Sequence, residues 1–196
     1  MKTRFYLLLL TLAFLFQSCI FSGCEKINLP KKDIEWLDNY KVNQILYFKN
    51  QNQDIDSLIV YKKNLNYSPC NKLELSEYQY QEASIRINDM NENDLAWSNR
   101  VQVDFTQKAK NEPSLKHFYV YGYSFNIRNI KKELKDTVLH LKYLSGEKVK
   151  CFEFDTKNSP QYEHSKSNLS KFYWSKERGL VKFIMGETLE YEIFQK

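Results

Sequence analysis

The chain has 196 residues, with 29 Lys and Arg against 24 Asp and Glu, and carries a formal charge of +5. Fourteen Tyr and thirteen Phe against five Gly and four Pro exclude a disordered chain. The positive bias is too weak to argue for a nucleic-acid partner, which needs a clustered basic face.

Lys2 and Arg4 precede an apolar run from Phe5 to Phe16 that is broken only by Thr11. About a dozen residues fall short of the roughly 20 that a bilayer-spanning helix needs. The run has no polar positions at helical spacing, as a core helix would. A basic start, a short apolar stretch and small residues after it describe a secretory signal peptide. Cleavage after residue 23 would lower the charge to +3 and leave about 170 residues, enough for one domain with a good core.

Two cysteines stand at the mouth of this run, Cys19 after Phe16-Gln17-Ser18 and Cys24 after Phe21-Ser22-Gly23. These steps resemble the lipobox of bacterial lipoproteins, in which a cysteine behind small residues receives a lipid and becomes the first mature residue. The resemblance implies a membrane anchor at Cys24, with Cys19 as the alternative. Both sites have Phe where Leu, Val or Ile is usual. Ser22 and Gly23 are both small, and the chain turns polar immediately after Cys24, which favours that residue. Lipidation of Cys24 would leave Cys70 and Cys151 as a candidate disulfide in an oxidising compartment. That bridge would close a loop of roughly 80 residues and contribute about 4–5 kcal/mol in the chain-entropy model. Lipidation of Cys19 would leave one odd thiol.

Residues 25–33 read as a polar tether. A short helical segment follows over 33–40, capped by Asp33 and facing inward with Ile34, Trp36 and Leu37. Beyond it the apolar period becomes two, and strand signals recur every 10–15 residues. Residues 45–49 and 58–62 flank a polar hairpin tip that contains Asp54 and Asp56. Residues 77–87 alternate with a phase slip, which predicts a bulge near Gln81-Glu82. Val101, Val103 and Phe105 alternate cleanly with polar residues. Residues 117–127 are apolar on both faces and read as a central strand. Residues 138–141 and 149–154 flank a turn at Ser145-Gly146. Residues 171–175 and 180–184 form a hairpin with Gly179 left-handed, and Leu189, Tyr191 and Ile193 close the chain after a turn at Gly186. The closing hairpin resembles the C-terminus of small exported lipoproteins over about 25 residues. The pattern predicts a mainly β domain: nine or ten strands in one antiparallel meander, strongly curved or barrel-like.

The chemical signals are sparse. Asp89 to Asp94 places oxygens at alternate positions, but Asp94 stands where a calcium loop needs Gly, and Arg100 stands where it needs Glu. His117, His140 and His164 lack metal-ligand spacing, and His140 is expected on the wetter face of its strand. No Gly-x-Ser-x-Gly elbow or phosphate loop is present, and no cofactor is implied. Tyr119, Tyr121, Tyr123 and Phe125 are candidates for the aromatic wall of a ligand cavity. Arg128, Lys131, Lys132 and Lys135 form a basic run whose default reading is a solvated linker.

These features lead to a lipid-anchored protein of a bacterial cell envelope, preferentially at the outer membrane, with a binding or structural role and no catalysis. Its partners would be the membrane and either an envelope protein or an apolar ligand. The alternative is a carrier or sensor that holds an apolar ligand in a sheet-lined cavity. An envelope hydrolase is third, and an open cleft with a buried carboxylate–His pair would favour it.

Overall fold

A computed structural model describes residues 24–70, 78–90, 100–159 and 168–194. The strands are β1 (Glu25–Ile27), β2 (Ile45–Asn50), β3 (Ile55–Tyr67), β4 (Tyr78–Asp89), β5 (Val101–Thr106) and β6 (Leu115–Val120). They continue as β7 (Tyr123–Ile127), β8 (Lys135–Leu141), β9 (Glu147–Asp155), β10 (Leu169–Ser175), β11 (Gly179–Met185) and β12 (Leu189–Phe194). Among the described residues there are two single-turn α-helices, α1 (Lys31–Ile34), which a 3-10 turn extends to Leu37, and α2 (Ile130–Glu133).

Eleven strands form one curled antiparallel sheet, a half-barrel, in the order β7-β6-β5-β4-β3-β2-β12-β11-β10-β9-β8. The expected mainly β meander is therefore the fold. The two edge strands, β7 and β8, are consecutive in sequence and are joined by only seven residues, 128–134. Such a link spans less than about 25 Å even when extended, so the sheet must curl until its edges approach. Phe125 of β7 accordingly meets Phe154 of β9 and Phe172 of β10 across the concave side, each at 5.4 Å between ring centroids.

Alternation sends Val101, Val103 and Phe105 inward, and all three are fully buried. Phe118, Phe154, Phe172, Trp174 and Phe183 join them on the concave side. Val120, Leu180 and Phe183 are buried as expected, whereas Leu189, Tyr191 and Ile193 are half-buried. An irregularity in the β10–β11 pairing between Tyr173 and Trp174 lets Leu180 and Phe183 both face inward although they are three residues apart. Val181, between them, joins a smaller outer cluster with Leu141, Val149, Cys151 and Tyr173.

Four expectations are corrected. Glu25–Ile27 is a strand, β1, which pairs in parallel with Tyr78–Tyr80 of β4, and Ile27 and Leu29 are buried, so the expected tether is part of the domain. The extra residue of the β3–β4 ladder lies in β3, between Val60 and Lys62, while β4 runs through Gln81-Glu82 without a shift. Residues 117–127 are a hairpin of two strands at one edge of the sheet, β6 and the edge strand β7, rather than one central strand. Tyr121 and Gly122 take φ of 48° and 90°, a two-residue turn with both residues left-handed. Asp33 lies inside α1, whose N-cap position is Pro30. By contrast, Gly179 (φ 76°) and Gly186 (φ 62°) turn left-handed where expected.

Removing the Phe105 ring leaves a cavity between β5 and the aromatic cluster. Phe105→Ala is expected to cost about 3–5 kcal/mol in urea unfolding. A loss below about 1 kcal/mol would show that this face is not the core.

Candidate functional site

The half-barrel is filled by the segment that enters it. Trp36 stacks on Phe152 at 5.3 Å and meets Phe105 and Phe118 edge-on, each at 6.3 Å. Tyr40 lies beside Trp174 at 5.7 Å, and its Oη accepts the Leu180 backbone N–H at 2.7 Å. Burial pushes the Tyr40 phenol well above its ordinary pKa, so it stays neutral. A Cβ on Gly179 would collide with the Tyr40 ring, which fixes glycine there independently of its backbone angle.

Polar contacts pin the same segment along its length. Lys116 points inward, and its Nζ lies 3.2 Å from Asp33 Oδ1, with both side chains only 7% exposed. Ser114 completes this buried group: its hydroxyl donates to Asp33 and accepts from Lys116 Nζ at 2.8 Å. Lys63 Nζ donates to the carbonyls of Leu37 and Tyr40 at 2.8 and 3.1 Å. At its start the segment is bonded covalently, Cys24 to Cys70, with 6.0 Å between Cα atoms. This corrects the expected Cys70–Cys151 bridge. Cys151 is a buried thiol on the outer side of β9, and burial pushes its pKa up to about 11. The Cys24 sulfur is taken up by Cys70 and is not available for a thioether. Cys19 lies outside the described residues.

The expected aromatic wall does not form, because the turn at Tyr121-Gly122 splits it. Phe118 pairs with Phe125 and Val120 with Tyr123 on the concave side, whereas Tyr119 pairs with Ser124 on the outer side. Tyr123 and Phe125 pack against the core. Tyr121 is buried in the turn against Phe183 at 5.2 Å, and its hydroxyl donates to Asp56 at 3.3 Å. Burial and the nearby Asp89 raise the Asp56 carboxyl, against the opposing pull of Arg100.

The outer face of β4 to β7 carries a different group, which the sequence did not single out. Asp104 on β5 stands directly opposite His117 on β6. Asp104 Oδ2 lies 3.5 Å from His117 Nδ1, and His117 Nε2 lies 2.9 Å from Ser124 Oγ on β7. Arg86 Nη1 holds the other Asp104 oxygen at 2.7 Å, and Gln102 Nε2 donates to Oδ2 at 2.5 Å. Burial resists ionisation of Asp104, but hydrogen bonds from His117, Gln102 and Arg86 outweigh it and hold the carboxyl below its ordinary range. Ser124 is buried, whereas the His117 and Asp104 side chains are 27% and 21% exposed. A hollow of about 530 Å³ lies beside Asp104 and His117, lined also by Asn64, Glu82, Arg86 and Asn126. A second, of about 540 Å³, runs between the sheet edges along Ser124 to Ile127. Asn126 borders both.

The remaining sequence candidates stay apart. His140 is exposed on β8, as its alternation implied. His164 and Asn91 to Asp94 lie outside the described residues. Among those described, no three His, Cys, Asp or Glu side chains come close enough to hold a metal, and no helix is long and apolar enough to cross a membrane. No family model matches the chain, and no curated protein or solved structure does either.

Two outcomes follow from the site's electrostatics. Lys116→Met strands the buried Asp33 carboxylate and should cost about 3–5 kcal/mol, whereas Lys110→Met at the solvent-exposed pair with Glu25 should leave the stability nearly unchanged. A carboxyl whose folded pKa is depressed contributes stability that is present above its ordinary value of 3.8 and lost as pH falls through the lowered one. Asp104→Asn should therefore flatten the stability profile below about pH 4, measured by urea unfolding across pH. An unchanged acid limb would contradict the geometry.

Proposed function

We propose that the chain is an exported, lipid-anchored protein of a bacterial cell envelope, preferentially at the outer membrane. Its domain has a binding role, exerted through the outer face of β4 to β7. The observation that carries this reading is the Cys24–Cys70 disulfide. Disulfides persist in oxidising compartments and are rare in the cytosol, which agrees with the basic start and apolar run at the N-terminus. The disulfide also moves the anchor, because a sulfur bonded to Cys70 cannot carry a lipid thioether. Cys19 becomes the acceptor, and Cys151 becomes the odd thiol that this alternative requires, sequestered by burial.

Anchoring at Cys19 leaves four residues, 20–23, before the disulfide. Extended, they keep the domain within about 17 Å of the lipid attachment point. Two or three acyl chains, at about 0.8 kcal/mol per buried CH₂, would hold it there permanently. The interior weighs against the carrier alternative: Trp36, Leu37 and Tyr40 occupy the space that an apolar ligand would need. The polar hollow beside Asp104 and His117 is the better binding surface, and its lining suits a polar ligand.

Metabolic labelling with a fatty-acid analogue separates the two cysteines. Cys19→Ser should lose the label. Cys24→Ser should keep it and lose about 4 kcal/mol of stability, the chain-entropy contribution of a bridge across 46 residues. Label lost in Cys24→Ser and kept in Cys19→Ser would overturn the assignment.

A further inference from the structure

We infer that Asp104, His117 and Ser124 form a serine-nucleophile site that hydrolyses short-chain esters of polar alcohols. The three side chains stand in the order that such chemistry requires, at 3.5 Å and 2.9 Å, on three adjacent strands. Their roles follow from protonation. An ionised Asp104, held by Arg86 and Gln102, accepts from His117 Nδ1–H. That tautomer leaves the Nε2 lone pair facing Ser124 Oγ, so the imidazole takes the hydroxyl proton as a general base.

The hairpin also supplies a donor for the developing oxyanion. Val120 and Tyr123 flank the two-residue turn and close it as a hydrogen-bonded pair. Tyr119 and Ser124 are therefore a non-hydrogen-bonded pair, and the Ser124 N–H and C=O point away from β6, along the free edge of β7. The Ser159 hydroxyl donates to the Ser124 carbonyl from that side at 2.5 Å, in agreement with this orientation. The Ser124 N–H thus faces the hollow between the sheet edges, where an acyl oxygen bound to Oγ would lie. The polar hollow around Arg86 and Asn126 receives the alcohol portion.

The steps balance without a cofactor. Ser124 Oγ bonds to the acyl carbon, and its proton passes to His117 Nε2. The ester C–O bond breaks, and the alcohol leaves with that proton. Water, deprotonated by the same Nε2, then attacks the acyl-serine, and the acid departs as Ser124 recovers its proton. This chemistry belongs to the folded domain and stands whether or not the chain carries a lipid.

The test uses the full-length protein purified in detergent and a fluorophosphonate probe, with the modified residue located by peptide mass spectrometry. The expected result is one adduct, on Ser124, and turnover of p-nitrophenyl acetate that Ser124→Ala abolishes. His117→Gln should slow labelling at least about 100-fold, and Asp104→Asn should slow it as well, each with a circular dichroism spectrum like that of the unmodified protein. No adduct on Ser124 after hours at millimolar probe would overturn the inference, and this needs no variant. Labelling of a folded His117→Gln at the unmodified rate would do the same, since it would leave Ser124 without its base.

Discussion

Ile127 and Lys135 end one edge strand and begin the other, yet only seven residues separate them. That short connection constrains everything else. A flat sheet of eleven strands would put its edges about 50 Å apart at the usual spacing, far beyond the reach of the link. The sheet has to curl, and curling gives it a concave side too narrow for solvent and too wide for its own side chains alone. Phe118, Phe154, Phe172, Trp174 and Phe183 fill part of the space, and α1 with its 3-10 extension fills the rest. Trp36 and Tyr40 are the bridging rings, the first reaching β5, β6 and β9 and the second β10.

The entering segment therefore completes the core rather than tethering it. Its attachment is covalent at Cys24, ionic at Asp33 and hydrogen-bonded at Tyr40. The buried Lys116–Asp33 pair is not an efficient source of net stability, because desolvation offsets most of the attraction. Its value lies in register: a shifted α1 would part Asp33 from Lys116 and Ser114. The same packing leaves the convex face for the proposed function. With the concave side occupied, Asp104, His117 and Ser124 share one outer surface of three neighbouring strands.

The fold class was legible because alternation is a strong local signal. Val101, Val103 and Phe105 declared their inward face, and Gly179 and Gly186 declared their turns. What escaped reading was either local but disguised or not local. Tyr121 takes a left-handed φ at a site where Asn or Gly is usual, so the run through 117–127 read as one strand. Long-range contacts hold it there, with Phe183, with Asp56 and with the Arg100 carbonyl, which accepts the Tyr121 N–H at 2.6 Å. Missing that turn hid the proximity of His117 and Ser124, which a continuous strand would separate by more than 20 Å. β1 escaped because three residues, two of them charged, carry no periodicity, and its partner lies about 50 residues away. Cysteine parity could not choose between Cys24 and Cys151 as the partner of Cys70, since pairing depends on where β1 docks.

The seating of the entering segment, and with it the proposed anchor at Cys19, is tested most directly by mapping the disulfide. The protein is alkylated without reduction, digested, and its linked peptides are identified by mass spectrometry. The account predicts a single linkage joining Cys24 to Cys70, with Cys151 alkylated only after unfolding. A Cys70–Cys151 linkage, or Cys24 recovered with a lipid on its sulfur, would contradict it.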